Sequence, residues 1–94
     1  MEEIKVAGET AQFIVIRLGQ EQYGIDISYI ENIVRMQHIT RVPKLAPYLK
    51  GVINLRGEVV PVVSVRLRLG KPSGEERAII VLNINGTQLG ILVD

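Results

Sequence analysis

The chain has no cysteine, no tryptophan and a single histidine, His38. Without cysteine there is neither a disulfide framework nor a thiolate metal site, as suits a reducing compartment. Stability must come from burial. His38 lies in no H-x-x-x-H or H-x-x-E pattern, so it reads as a surface histidine and not as a zinc ligand. No run approaches the ~18 uninterrupted apolar residues of a membrane helix. The opening "MEEIKVAGET" lacks the basic start and apolar stretch of a signal peptide. Ser28, Ser64 and Ser73 sit in no nucleophile motif, and the glycines compose no phosphate loop. Glu21, Asp26, Glu31, Glu58, Glu75 and Glu76 form no acid and base pair. No catalysis, cofactor or metal is expected.

What the chain does have is apolar residues, 47% of its 94, the makings of one small domain or part of one. Charge is uneven. Residues 1–34 hold two cations and six acids, residues 35–77 nine cations and three acids, and the rest one acid. The basic middle can be a solvated face, a surface for an acidic protein, or a small basic β-barrel that binds nucleic acid. The last needs exposed rings to stack bases. One Phe and three Tyr, with Phe13 and Tyr23 read as core, supply few.

"QFIVIRL" (12–18) and "YGIDI" (23–27) read as a hairpin with one apolar face at period two. Ser28-x-x-Glu31 has the form of a capping box, with Ile30, Ile33 and Val34 at helical spacing, so a short helix is expected over roughly 28–36. "ITRVPKLAPYLKG" reads as an extended connector with at most one helical turn near Pro47 to Lys50. The runs 52–55 and 59–63 are apolar at successive positions, which calls for cover on both faces. Pro61 cannot donate to a ladder and is expected at an edge or bulge. "VRLRLGKPSGEE" leads through a turn or short helix into a loop, and "RAIIVLNI" and "TQLGILV" flank Asn85-Gly86, a strong hairpin signal.

Arg56 is the unusual residue, a guanidinium between two apolar strands and next to Gly57. It can be a turn cation paired with Glu58 or a backbone carbonyl, or a forked donor presented to a partner.

The chain also resembles itself. "FIVIRLGQEQYGIDI" from Phe13 aligns without gaps to "IIVLNINGTQLGILV" from Ile79, at a constant offset of 66. The first copy continues through further elements whereas the second stops at Asp94. A second subdomain that is incomplete here is therefore expected, with an open edge at "AIIVLNI" and "LGILV".

"QFIVIRLGQEQYGIDISYIENIVR", "LKGVINLRGEVVPVVSVRLRLG" and "AIIVLNINGTQLGILVD" together resemble the CheW-like domains of bacterial chemotaxis. The resemblance implies a mainly β fold of two SH3-like β-barrel subdomains, the second incomplete, with the one short helix. It implies a tail at 1–11 and a domain at 12–94, with 12–65 mainly the first subdomain and 66–94 the start of the second. It implies a non-catalytic, cytoplasmic adaptor coupling chemoreceptors to the CheA histidine kinase, in receptor arrays at the inner membrane. One barrel would dock on the kinase's regulatory domain, and the groove between barrels would take the receptor's coiled-coil tip. By motif position the partner-binding residues are Ile30, Asn32, Ile33, Lys50, Gly51, Asn54, Arg56, Gly57 and Glu58. The family often has an acid where this chain has Asn32, with Glu31 one residue earlier. The unfinished second barrel leads to the expectation of a homodimer formed by strand exchange or edge pairing.

Overall fold

The β-branched runs form strands, as their stiff χ1 and pleated packing favour. The computed structural model describes residues 2–6, 9–44, 46–70 and 76–94, with side chains from Ala11 onward. The strands are β1 (Glu2–Val6), β2 (Glu9–Leu18), β3 (Glu21–Asp26), β4 (Ile30–Arg35), β5 (Leu49–Leu55), β6 (Glu58–Ser64), β7 (Ala78–Ile84) and β8 (Thr87–Val93). One helical turn, α1 (Val65–Arg68), follows β6. It is capped by Ser64, whose hydroxyl accepts from the Leu67 N–H at 3.3 Å. Glu2–Val6, inside the stretch read as a tail, pairs with β2. The loop expected after Leu69 lies in part, at 71–75, outside the described residues.

β1, β2 and β3 make one sheet, and the order β4-β7-β8-β6-β5 makes the other. The larger sheet closes on itself. Beyond β4 the Met36 N–H donates to the Arg77 carbonyl at 3.1 Å, and Thr40 then exchanges two hydrogen bonds with Val52, at 2.8 and 2.9 Å. Val52 lies on β5, the far strand of the sheet, so the continuation of one outer strand seals the other and a barrel results. Its interior holds Ile53, Val60, Val62, Ile79, Val81 and Leu92. On the outside of β7 and β8, Ile80, Leu82, Ile91 and Val93 pack against Ile16 and Leu18 of the three-stranded sheet. β7 is thus buried on both faces, which accounts for its uninterrupted apolar run. Each such side chain contributes roughly 1.5–3 kcal/mol of burial.

The repeat is carried into the pairing. Ile14 faces Ile25, Val15 faces Gly24 and Leu18 faces Glu21 in the first hairpin. Their counterparts 66 residues on, Ile80 with Ile91, Val81 with Gly90 and Ile84 with Thr87, pair in the same register. The expected open edge is not there. β7 and β8 are interior strands of the barrel, because β4 covers one side of the hairpin and β6, running parallel to β8, covers the other. Strands drawn from 30–64 and from 78–93 therefore share one sheet.

The helix expected over 28–36 is a strand. Asp26, not Ser28, caps the turn: its carboxylate accepts from the Ser28 N–H at 2.9 Å, and a single 3₁₀ turn, Ile27–Tyr29, follows it and gives way to β4 at Ile30. Three of the next six residues are β-branched, and the β7 ladder outweighs a weak helical preference. The hairpin β5–β6 also departs from expectation, since only its inner face is fully covered and Val59 is 66% exposed. Pro61 sits within an interior strand. Val52 turns both its hydrogen-bonding groups to Thr40, so the Val52–Pro61 pair is a non-bonded one. The β6–β8 ladder begins only at Val62, and no N–H is required of the proline. Instead of a helical turn, residues 46–49 make a β-turn closed by the Leu49 N–H on the Ala46 carbonyl, 2.9 Å.

The strand reverses the roles that a helix would assign to two isoleucines. Ile30 packs against the core shared by the two sheets, while Ile33 is 49% exposed. Ile30→Ala is expected to cost about 1–3 kcal/mol and Ile33→Ala under about 0.5 kcal/mol. Urea melts rank the two variants, and equal losses would contradict the strand.

Asp94 ties the sheets together. Its carboxylate accepts from the Gly19 N–H at 2.7 Å and pairs with the Arg66 guanidinium, also at 2.7 Å. These hydrogen bonds, the Arg66 one foremost, hold its carboxyl below the usual carboxylate range. The stability it contributes is present above the unfolded value of about 3.9 and is lost as pH falls through the folded value. Burial pushes Glu76 the other way. The difference between wild type and Asp94→Asn, followed by urea titration, should therefore shrink below about pH 4. A difference independent of pH would contradict the tie.

Candidate partner-binding surface

Arg56 and Gly57 are the two central residues of the β5–β6 turn, with φ of 54° and 84°. Two positive φ values make a type I′ turn, whose twist matches the flanking strands. Asn54 supports it, its Oδ1 accepting from the Gly57 N–H at 3.0 Å. The β7–β8 turn is built alike: Asn85 and Gly86 have φ of 52° and 84°, and Asn83 Oδ1 accepts from the Gly86 N–H at 2.9 Å. Arginine thus stands where the sibling turn has asparagine. A left-handed conformation costs a side chain bearing a Cβ roughly 1–2 kcal/mol, less for asparagine. Arg56 is exposed, and among the described residues it makes no ion pair with Glu58.

A groove of about 190 Å³ lies beside this turn, lined by Glu31, Asn32, Leu55, Arg56, Glu58 and Gln88. It joins three of the residues the sequence pointed to, Asn32, Arg56 and Glu58, while Asn54 and Gly57 shape the turn. Asn32 spends its Oδ1 on the Ile33 N–H, 2.8 Å. Ile30 faces the core, and Ile33 is exposed on β4. Lys50 lines a different, larger cavity of about 870 Å³ with Met36, Ile39, Leu49 and Glu76.

Gly51 is buried, with φ of 141°. A Cβ there would lie 2.1 Å from the Thr40 carbonyl oxygen, so it serves the closure of the barrel. Leu55 and Gln88 escaped the sequence reading, and Glu31 entered it only as a capping acid and as the acid one residue before Asn32. Their shared groove depends on β8 lying between β7 and β6, a long-range arrangement with no local signal. The described cations of the basic middle divide among several places: Arg66 and Arg77 meet at Asp94, the Arg68 guanidinium stacks 5.4 Å from the centre of the Tyr48 ring, and Arg41, Lys44 and Lys50 line the larger cavity.

The profile of the CheW-like domain matches residues 12–94. The chain belongs to the CheW-like domain family. It is 39% identical over 95 residues to the chemotaxis protein CheW of Klebsiella aerogenes, covering 96% of this chain and 57% of that protein. To CheW of Bacillus subtilis it is 38% identical over 86 residues, covering 88% and 55%. The chain thus spans just over half the length of these curated relatives. The solved structure of the scaffolding protein TtCheW from Thermoanaerobacter tengcongensis matches with a TM-score of 0.84 at 32% identity, over 89% of this chain and 60% of that one. The CheW-like domain described above, mainly β with two sheets and a short α-helix, has the fold of that neighbour. No helix among the described residues is long and apolar enough to cross a membrane.

Proposed function

We propose that this CheW-like domain is a non-catalytic adaptor of bacterial chemotaxis, coupling chemoreceptors to the CheA-type histidine kinase. The similarity to chemotaxis and scaffolding proteins supports the class of function. Residues 12–94 are its CheW-like part, and the adaptor acts in the cytoplasm within receptor arrays at the inner membrane. One barrel docks on the kinase's regulatory domain, and the receptor's coiled-coil tip meets the surface around Arg56, with Asn32, Ile33 and Glu58 beside it. Pairing of two copies would use an outer strand of the three-stranded sheet, β1 or β3, because the larger sheet is closed.

The observation that carries this reading is Arg56 itself, an exposed arginine held in a left-handed turn beside a groove. Backbone strain retained at a surface position points to use, and arginine is enriched where a few residues dominate an interface. Arg56→Glu in the full chain is expected to abolish receptor-dependent kinase activation while moving stability by less than about 0.5 kcal/mol. Co-sedimentation with receptor membranes and kinase, paired with a melt, reads both. Unchanged activation would return Arg56 to a role in the turn alone.

A further inference from the structure

Glu31 stands at an irregularity of β4. Ile30 pairs with Leu82 and Asn32 with Val81, neighbours on β7, so Glu31 is the extra residue of a β-bulge. A bulge re-aims its side chain and changes which face the following residues present. Two side-chain amides of the β7–β8 hairpin then hold the carboxylate. Asn83 Nδ2 donates to Oε1 at 3.4 Å, and Gln88 Nε2 donates to Oε2. A carboxylate offers roughly four acceptor sites, so two amides leave it with acceptor capacity. Glu31 lines the same groove as Arg56 and Glu58.

The charges around the groove are two carboxylates and one guanidinium. At about 190 Å³ the space suits the tips of side chains. Its complement is a segment that brings a cation to the carboxylates and an acceptor to Arg56.

We propose that Glu31 is a specificity-determining residue of this surface, set by the bulge and by Asn83 and Gln88 to receive a lysine or arginine of the docking partner segment. The inference rests on the reading of the Arg56 groove as the receptor-facing surface. Glu31 selects for a cation at one point of the partner, and Arg56 for an acceptor at another. Opposed charges of this kind fix register and exclude wrong partners.

The test is a titration of the full chain with a soluble fragment of a chemoreceptor's cytoplasmic tip, by calorimetry across a salt series. Glu31→Gln keeps the size and one acceptor and removes the charge. It should weaken binding about three- to tenfold and flatten the salt dependence, with an unchanged melting temperature. Glu31→Lys should weaken binding more than about tenfold. If Arg56→Glu abolishes binding while Glu31→Gln and Glu31→Lys bind like wild type with the same salt dependence, the inference is overturned and the surface reading stands. If Arg56→Glu also binds like wild type, the surface reading falls and the inference with it. A Glu31→Gln whose affinity falls only in step with its melting temperature would make Glu31 a structural tie, and overturns the proposal as well.

Discussion

Gly51→Ala is expected to open the barrel, with a loss of about 3 kcal/mol or more. Two costs add at this position. Its φ of 141° lies in a region that residues with a Cβ rarely adopt. The added Cβ would also come within 2.1 Å of the Thr40 carbonyl oxygen and 3.1 Å of the Arg41 Cα. Both neighbours are backbone, so neither can rotate away. Relief requires the 40–41 segment to lift from β5, which breaks the two hydrogen bonds between Thr40 and Val52 and exposes the barrel seam. Small domains have net stabilities of only about 5–15 kcal/mol, so the variant should melt far earlier. Hydrogen exchange should show the Thr40 and Val52 amides losing protection together. Gly57→Ala is the control. Its φ is also positive, at 84°, but nothing lies within 4 Å of the added Cβ, and it should cost only about 1 kcal/mol. An equal loss in the two variants would show that conformation alone, and not the close approach of Thr40, makes Gly51 necessary.

Arg56→Asn should move stability and function in opposite directions. The sibling turn shows asparagine at the same place with φ of 52° against 54°, so the substitution keeps the turn and relieves an arginine of a conformation it disfavours. A gain of about 0.5–1 kcal/mol is expected. Receptor-dependent kinase coupling should nevertheless fall about thirtyfold, as it does when a residue worth about 2 kcal/mol at an interface is lost. Denaturant midpoints and coupling measured on the same preparation decide it. A variant that is more stable and couples as well as wild type would show that the groove beside Arg56 is not the partner surface. One that is less stable would mean that the arginine contributes contacts to the turn, against the picture of a strained and exposed side chain.

Much of this arrangement is legible along the chain. Asn85-Gly86 names its turn because asparagine and glycine tolerate positive φ, and the offset of 66 anticipated the matching registers of the hairpins β2–β3 and β7–β8. The motif around Asn54, Arg56 and Gly57 put an arginine beside a turn, and the structure has it exposed at the turn's centre, because that turn is made by residues adjacent in sequence. The tertiary structure decided the rest. Residues 28–36 carry a capping-box pattern, yet helical preference differs by only a few tenths of a kcal/mol per residue, less than a β7 ladder and a buried Ile30 supply. Gly51 belongs to a motif read as partner-binding, and only the arrival of Thr40 shows why a side chain cannot stand there. The open edge expected at β7 and β8 is filled by β4 and β6, contributed from a different part of the chain. Glu31 was read as a capping acid, and the bulge with Asn83 and Gln88 makes it part of a groove wall. In each case the deciding partner lies outside the local segment, Thr40 and Val52 included, and local pattern carries no information about which other segment will supply it.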